Sequence, residues 1–130
     1  MNALSNNLRG EMVHALKTAE SDSAVHTIVI RGAGRAFSAG YDVGGGRTAA
    51  DNSPYVHPRS LLPDVGSTRP GPSEWAHHVN ETNWLIWELY KPVIAQVHGY
   101  CLAAGTELAT ICDFRIAAED AVIGYPRSVR

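Results

Sequence analysis

Residues 99–108, with the sequence GYCLAAGTEL, constrain the fold of this chain most strongly because they lead from a strand into a helix through small side chains. Residues 92–97 are rich in β-branched residues and carry a proline only at their entrance, which predicts a buried strand. The small residues 103–105 would let a ligand approach the unpartnered N–H groups of a helix N-terminus, where the helix dipole favours negative charge. Glu107 follows within one turn, so a candidate general acid or base would stand beside an oxyanion site. The alternative is a plain helix start in which Glu107 only complements the dipole.

A second strand followed by small residues would supply another N–H group. Residues 26–31, HTIVIR, predict a strand, and residues 32–42, GAGRAFSAGYD, follow its end. A dinucleotide-binding interpretation of Gly32 and Gly34 fails because Phe37 stands where that fingerprint requires a third glycine. We therefore interpret this segment as a second contributor to a site for a carbonyl oxygen.

The composition indicates one soluble domain at most. The chain has 130 residues and a formal net charge of -2, so no surplus of basic residues favours a nucleic-acid partner. No transmembrane stretch or signal peptide is visible in the sequence, and no membrane partner is expected. Cys101 and Cys112 lack the spacing of a metal site, so no metal is expected. Two thiols without a secretory context favour a reducing compartment, and a cytoplasmic location is predicted.

Two helices and a long loop complete the predicted layout. Ser5 would cap a helix that ends near residues 20–23 and whose apolar face contains Leu8, Met12, Ala15, Leu16 and Ala19. Residues 44–73 are rich in glycine, proline and polar residues, which predicts a long mobile loop. A second helix would run up to residues 91–92, with helical spacing of Trp75, Val79, Thr82, Leu85, Ile86 and Leu89. We interpret Trp75, Trp84 and Trp87 either as packing residues or as the lining of a substrate pocket.

Together with MNALS at residues 1–5 and CDFRIA at residues 112–117, these segments resemble the enoyl-CoA hydratase/isomerase family, also called the crotonase family, in order and spacing. The resemblance extends over nearly the whole chain. It implies an α/β fold built on the crotonase-like (ClpP/crotonase) spiral of ββα units. Members of that family begin with further strands and continue into a C-terminal helical region, so residues 1–130 are interpreted as a partial crotonase-like acyl-CoA domain. The full-length form is expected to be a homo-oligomer, a trimer or a dimer of trimers.

The resemblance also implies a site and a reaction. The backbone N–H groups of Tyr41 and Ala104 would form an oxyanion hole around the carbonyl of an acyl-CoA thioester. Coenzyme A would enter as part of the substrate, and no separate cofactor is expected. Glu107 matches the family's first catalytic glutamate and would act as the acid/base that adds water across the 2,3-double bond of an enoyl-CoA. Further residues expected to contact the substrate are Ala36, Ser38, Ala39, Gly40, Asp42, Tyr100, Leu102, Ala103 and Arg127.

One position departs from the family pattern. A second catalytic glutamate is expected just after a Gly-x-Pro sequence, but residues 124–127 have the sequence GYPR, and an arginine cannot exchange a proton. Arg127 would hold Glu107 ionised, bind a carboxylate on the acyl group, or simply be exposed. The alternatives to hydration are therefore isomerisation, thioester hydrolysis, and a non-catalytic acyl-CoA binder or truncated product.

Overall fold

The computed structural model describes residues 1–42 and 82–126. The predicted strands over residues 26–31 and 92–97 are confirmed, while the loop predicted over residues 44–73 lies outside the described residues, as do Trp75 and Val79. In chain order the elements are α1 (Asn6–Ser21), β1 (Ile28–Arg31), β2 (Ala36–Ser38), α2 (residues 82–88), β3 (Val93–Val97), β4 (Tyr100–Leu102), α3 (Ala104–Ile111), β5 (Phe114–Ala117) and β6 (Val122–Gly124).

The strands form two parallel sheets of three strands each. One sheet has the order β1-β3-β5 and the other the order β2-β4-β6. Ile94 of β3 pairs with Val29 on one side and with Phe114 on the other. Each pass of the chain adds one strand to the first sheet and the next strand to the second, so the two sheets grow side by side as a spiral.

The central strand β3 forms the middle of the hydrophobic core. Val93 and Ala95 have no exposed surface, and Val97 is also buried. These alternate side chains point to one face of the strand, where they join Leu16 of α1 and Leu108 of α3 in one cluster. The buried face of β3 therefore connects the first sheet with the helix that carries Glu107.

Helix α1 has the predicted cap and end. The Ser5 hydroxyl accepts a hydrogen bond from the Leu8 N–H at 3.2 Å, and the helix ends at Ser21. Leu16 is buried as expected, but the inclusion of Ala15 in the apolar face is wrong because Ala15 is exposed. Ala15 lies about 100° from Leu16, at the edge of the apolar face, where its single methyl group stays exposed.

The tryptophans of α2 are exposed, so their interpretation as packing residues is wrong, while their contact with a substrate stays a prediction. Trp84 is 61% exposed and Trp87 is 68% exposed, whereas Ile86 of the same helix is buried. The helix thus buries its aliphatic side and presents the two indoles to solvent. Trp75 lies outside the described residues.

The path from β3 to α3 contains a strand that the sequence interpretation omitted. Gly99 turns the chain with a φ of 54°, and a Cβ at this position would overlap the carbonyl oxygen of Arg35. After this turn β4 joins the second sheet, with Cys101 paired to Ser38 of β2 and to Ile123 of β6. The predicted helix therefore starts from the second sheet and not from the strand over residues 92–97.

Candidate active site

The side chain of Asn2 ties the N-terminal segment to β2 and to the turn that precedes β2. The Asn2 amide donates to the carbonyl oxygens of Ala33 and Ala36, both at 2.8 Å, and lies 3.3 Å from that of Phe37. Asn2 itself has a φ of 51°, a conformation that asparagine tolerates better than most residues. One side chain thereby fixes the backbone on the approach to Tyr41.

The buried hydroxyl of Ser38 fixes the turn that follows β2, residues 39–41, which we call the β2 turn. It donates to the Asn2 carbonyl oxygen at 2.8 Å and accepts from the Gly40 N–H at 3.2 Å. The Gly40 carbonyl oxygen in turn accepts from the Leu4 N–H at 2.8 Å. Ser38 and its neighbours therefore set the direction of the backbone that enters Tyr41.

We expect Ser38→Ala to lower the free energy of unfolding by about 1 to 2 kcal/mol, because it leaves the buried Gly40 N–H without its acceptor. Urea denaturation followed by circular dichroism measures this change. Ser21→Ala is the matched control, since the Ser21 hydroxyl makes its bond to Thr18 on an exposed helix end. Equal effects of the two substitutions would contradict a framing role for Ser38.

A residue with strained backbone, Ala103, precedes helix α3, and the first amide of the helix has no partner within the helix. Ala103, the residue before the helix, has a φ of 49°, and its N–H donates to the Gly124 carbonyl oxygen at 2.9 Å. The Thr106 hydroxyl donates to the Cys101 carbonyl oxygen at 2.8 Å. Ala104 is the first helical residue, so no carbonyl of the helix accepts from its N–H.

Two glycines show that the β2 turn and the start of α3 adjoin. A Cβ added to Gly40 would lie 3.6 Å from the Ala104 nitrogen. A Cβ added to Gly105 would lie only 2.8 Å from the Ser38 Cβ and from the Ser38 carbonyl oxygen. Gly105 has no room for a Cβ, and a Cβ at Gly40 would make a tight contact with Ala103, so both glycines favour the close approach of these two segments.

Glu107 and Tyr41 are joined directly. The Tyr41 hydroxyl donates to Glu107 Oε2 at 2.7 Å, and both side chains are partly buried. Burial, the hydrogen bond to Glu107 and the negative charge of Glu107 raise the pKa of the Tyr41 phenol far above its ordinary value. Tyr41 therefore remains protonated at neutral pH and acts as a hydrogen-bond donor to the carboxylate.

A small, partly open pocket lies beside the Tyr41 ring. Arg9 of α1 is buried, with its guanidinium 5.9 Å from the centre of the Tyr41 ring, a distance that fits a cation–π contact. Burial lowers the pKa of Arg9, although the group keeps its charge at neutral pH. The pocket is lined by Leu4, Arg9, Met12, Tyr41, Thr82, Asn83, Ala104 and Leu108.

The sequence interpretation missed Arg9 and the side chain of Tyr41. A signal for Arg9 was present, because it precedes Met12 by three residues and Leu16 by seven and so lies on the buried face of α1. No local pattern pointed to the Tyr41 phenol, whose partner lies 66 positions further along the chain.

The structure brings together the predicted oxyanion segments and Glu107. Tyr41 and Ala104 line the same pocket, and Gly40 and Ala103 adjoin between them. Their contacts with a substrate stay predictions, as do those of Ala39, Asp42, Tyr100 and Leu102. Ala36 and Ser38 are each 1% exposed, so their side chains belong to the framework of the site. Arg127 lies outside the described residues.

Candidate metal ligands, thiols and helices in the part of the chain that the structure describes have the following properties. No three histidine, cysteine, aspartate or glutamate side chains within residues 1–42 and 82–126 come together as a metal site. Burial raises the pKa of Cys112 to about 11, which keeps its thiol protonated and unreactive at neutral pH. Among the described helices, none combines the length and apolar character required to cross a membrane.

Two parallel sheets wound as a spiral, with α3 starting against the turn that follows β2, define an α/β protein of the crotonase fold. The sequence profile of the enoyl-CoA hydratase/isomerase family matches residues 1–128. The chain belongs to this family.

Relatives with assigned names agree with that membership. The chain is 37% identical over 125 residues to a probable enoyl-CoA hydratase of Bacillus subtilis, covering 96% of this chain and 42% of that protein. It is 34% identical to the 2,3-dehydroadipyl-CoA hydratase of Escherichia coli, with 96% and 41% covered. A crystal structure of an enoyl-CoA hydratase/isomerase from Xanthobacter autotrophicus Py2 superposes with a TM-score of 0.72 at 35% identity, covering 95% of this chain and 40% of that one. The chain therefore spans about two fifths of the length of these relatives.

Proposed function

We propose that this chain supplies the oxyanion hole and the acid/base of an enzyme that adds water to the 2,3-double bond of an acyl-CoA thioester. The observation that carries the proposal is the position of Glu107, which is held by Tyr41 at 2.7 Å in the first turn of a helix whose first amide adjoins the β2 turn. The carboxylate of Glu107 is thereby connected, through Tyr41, to the two backbone segments that carry the proposed donors.

The proposed oxyanion hole consists of the N–H groups of Tyr41 and Ala104. Addition of water to an enoyl thioester moves negative charge onto the thioester oxygen, and fixed backbone donors stabilise such charge without reorganising during the reaction. The N-terminus of α3 adds the favourable end of a helix dipole. Support comes from the joint presence of Tyr41 and Ala104 in the pocket lining.

Glu107 would carry the proton through both halves of the reaction. Its carboxylate takes a proton from water while the water oxygen bonds to C3 of the substrate, and the π electrons move to the thioester oxygen. Collapse of the enolate then takes the proton from Glu107 to C2, which restores the carboxylate. The product is a 3-hydroxyacyl-CoA, one water heavier than the substrate.

The carboxylate favours an enzyme over a simple binder of acyl-CoA. A binder requires the amide donors but has no use for a partly buried negative charge beside them, since such a charge costs free energy to desolvate. The names of the relatives from Bacillus subtilis and Escherichia coli add support for hydration in particular. A homo-oligomeric assembly and a cytoplasmic location of the whole protein stay predictions.

The test is incubation of the protein with a short-chain 2-enoyl-CoA while the absorbance of the conjugated thioester is recorded. We expect the absorbance to fall and the product to gain the mass of one water, with one deuteron at C2 when the solvent is D2O. Isomerisation would leave the mass unchanged, and thioester hydrolysis would release a thiol that a thiol reagent detects. Absence of any change in absorbance would contradict the proposal for such substrates.

A further inference from the structure

We infer that the Tyr41 side chain is a positioning residue, which holds Glu107 through one carboxylate oxygen and leaves the other oxygen for the water and the substrate. This inference rests on the proposed function, because it concerns the carboxylate that the proposal makes the acid/base. It assigns Tyr41 a second task, since the backbone N–H of the same residue belongs to the proposed oxyanion hole.

The geometry of the hydrogen bond supports this task. The Tyr41 hydroxyl donates to Glu107 Oε2 at 2.7 Å, within the range typical of hydroxyl donors to carboxylates. A glutamate side chain has several rotatable bonds, and its free end would otherwise sample several rotamers at the edge of a pocket. A bond to one oxygen removes much of that freedom without occupying the second oxygen.

The position of Tyr41 is itself fixed through its backbone and through its ring. Its backbone follows the turn fixed by Ser38 and Gly40, and its ring lies 5.9 Å from the buried guanidinium of Arg9. Tyr41 therefore links the position of the oxyanion donors to the position of the carboxylate. Displacement of reacting groups by about 1 Å can cost a factor of about 100 in rate, so such a link has a kinetic consequence.

The charges around Tyr41 keep it in the donating form. Burial is the largest cause that raises the pKa of its phenol, followed by the hydrogen bond to Glu107 and the charge of Glu107. Tyr125, after β6, acts in the same direction, while Arg9 of α1 acts in the opposite one. The phenol consequently keeps its proton throughout the neutral range and up to strongly alkaline pH.

A titration tests the contact between Tyr41 and Glu107 independently of any enzymatic activity. Protein labelled with ¹³C at Cζ of tyrosine is titrated to high pH, and the Tyr41 resonance is assigned by its loss in Tyr41→Phe. We expect Glu107→Gln to move the Tyr41 transition to lower pH, because the substitution removes the negative charge that helps to raise the pKa of the Tyr41 phenol. A Tyr41 transition that does not respond to Glu107→Gln would overturn the inference.

Measurement of kcat and KM tests whether the contact between Tyr41 and Glu107 affects catalysis. Tyr41→Phe keeps the ring and the backbone N–H but removes the donor, so we expect kcat for hydration to fall about tenfold while KM changes less than about twofold. Tyr90→Phe is the matched control and is expected to retain the original kcat. An unchanged kcat in Tyr41→Phe would also overturn the inference. If the unaltered protein performs no hydration, the proposed function fails, and the titration alone decides the positioning contact.

Discussion

Replacement of Glu107 by glutamine is expected to lower the rate of enoyl-CoA hydration by a factor of about 10² to 10⁴, the range that general acid/base catalysis contributes. Glutamine has nearly the same shape, and its carbonyl oxygen can still accept from the Tyr41 hydroxyl, so the fold and the pocket remain. The amide cannot take a proton from water, however, and it has none of suitable acidity to return to C2. The measurement is kcat for a short 2-enoyl-CoA from the fall of the thioester absorbance.

Glu119→Gln is the matched control because Glu119 is exposed in the turn between β5 and β6. It removes the same charge from the same chain without touching the pocket, and its kcat should equal that of the unaltered protein. A loss of less than about tenfold in Glu107→Gln would show that another group moves the proton. A comparable loss in both variants would show that the loss does not depend on the carboxylate at position 107.

The longer elements of this fold could be predicted because their signals are local. The β-branched run over residues 92–97 and the serine cap of α1 each depend on neighbours within a few positions. The strands β2, β4 and β6 have only three residues each, too few to show a periodicity. Their pairing joins residues far apart in the chain, as between Ser38 and Cys101. The sequence therefore predicts only a turn between β3 and α3, where the structure has strand β4.

The difference between local signals and long-range packing also explains which parts of the site could be predicted. Glu107 and the small residues before it are neighbours in sequence, so their grouping could be predicted. The hydrogen bond between Tyr41 and Glu107, and the placement of Arg9 beside the Tyr41 ring, depend on how α1, the β2 turn and α3 pack together. Composition and spacing carry no information on such packing.

The small size of Gly105 has a different structural role from the one that the sequence predicts. The sequence suggests that a small residue here lets a ligand approach the helix N-terminus. In the structure, the neighbour that approaches is Ser38 of β2, which leaves no room for a Cβ. The glycine is therefore needed for the contact between α3 and β2, which in turn places Ala104 beside the Gly40 turn.

Gly105→Val is accordingly expected to lower the free energy of unfolding by about 3 kcal/mol, at the upper end of the cost of overfilling a packed interior. Its Cβ would stand 2.8 Å from both the Cβ and the carbonyl oxygen of Ser38, and the contact cannot relax by rotating a flexible side chain because backbone is involved. Helix α3 must move away from β2, which separates the Ala104 amide from the β2 turn. We expect kcat for hydration to fall by about 100-fold as a result, since a displacement near 1 Å has that effect.

Thr110→Val separates this packing effect from the presence of valine in α3. Thr110 lies on the exposed side of the same helix, valine has nearly the same shape as threonine, and both are β-branched. The substitution removes the bonds of the Thr110 hydroxyl to the carbonyl oxygens of Thr106 and Glu107, so it should change the free energy of unfolding by at most about 1 kcal/mol and leave kcat unchanged. Urea denaturation and the hydration assay measure both quantities. If Gly105→Val is as stable and as active as Thr110→Val, close contact between α3 and β2 does not set the geometry of the site, and the spacing of the two amides must be fixed elsewhere.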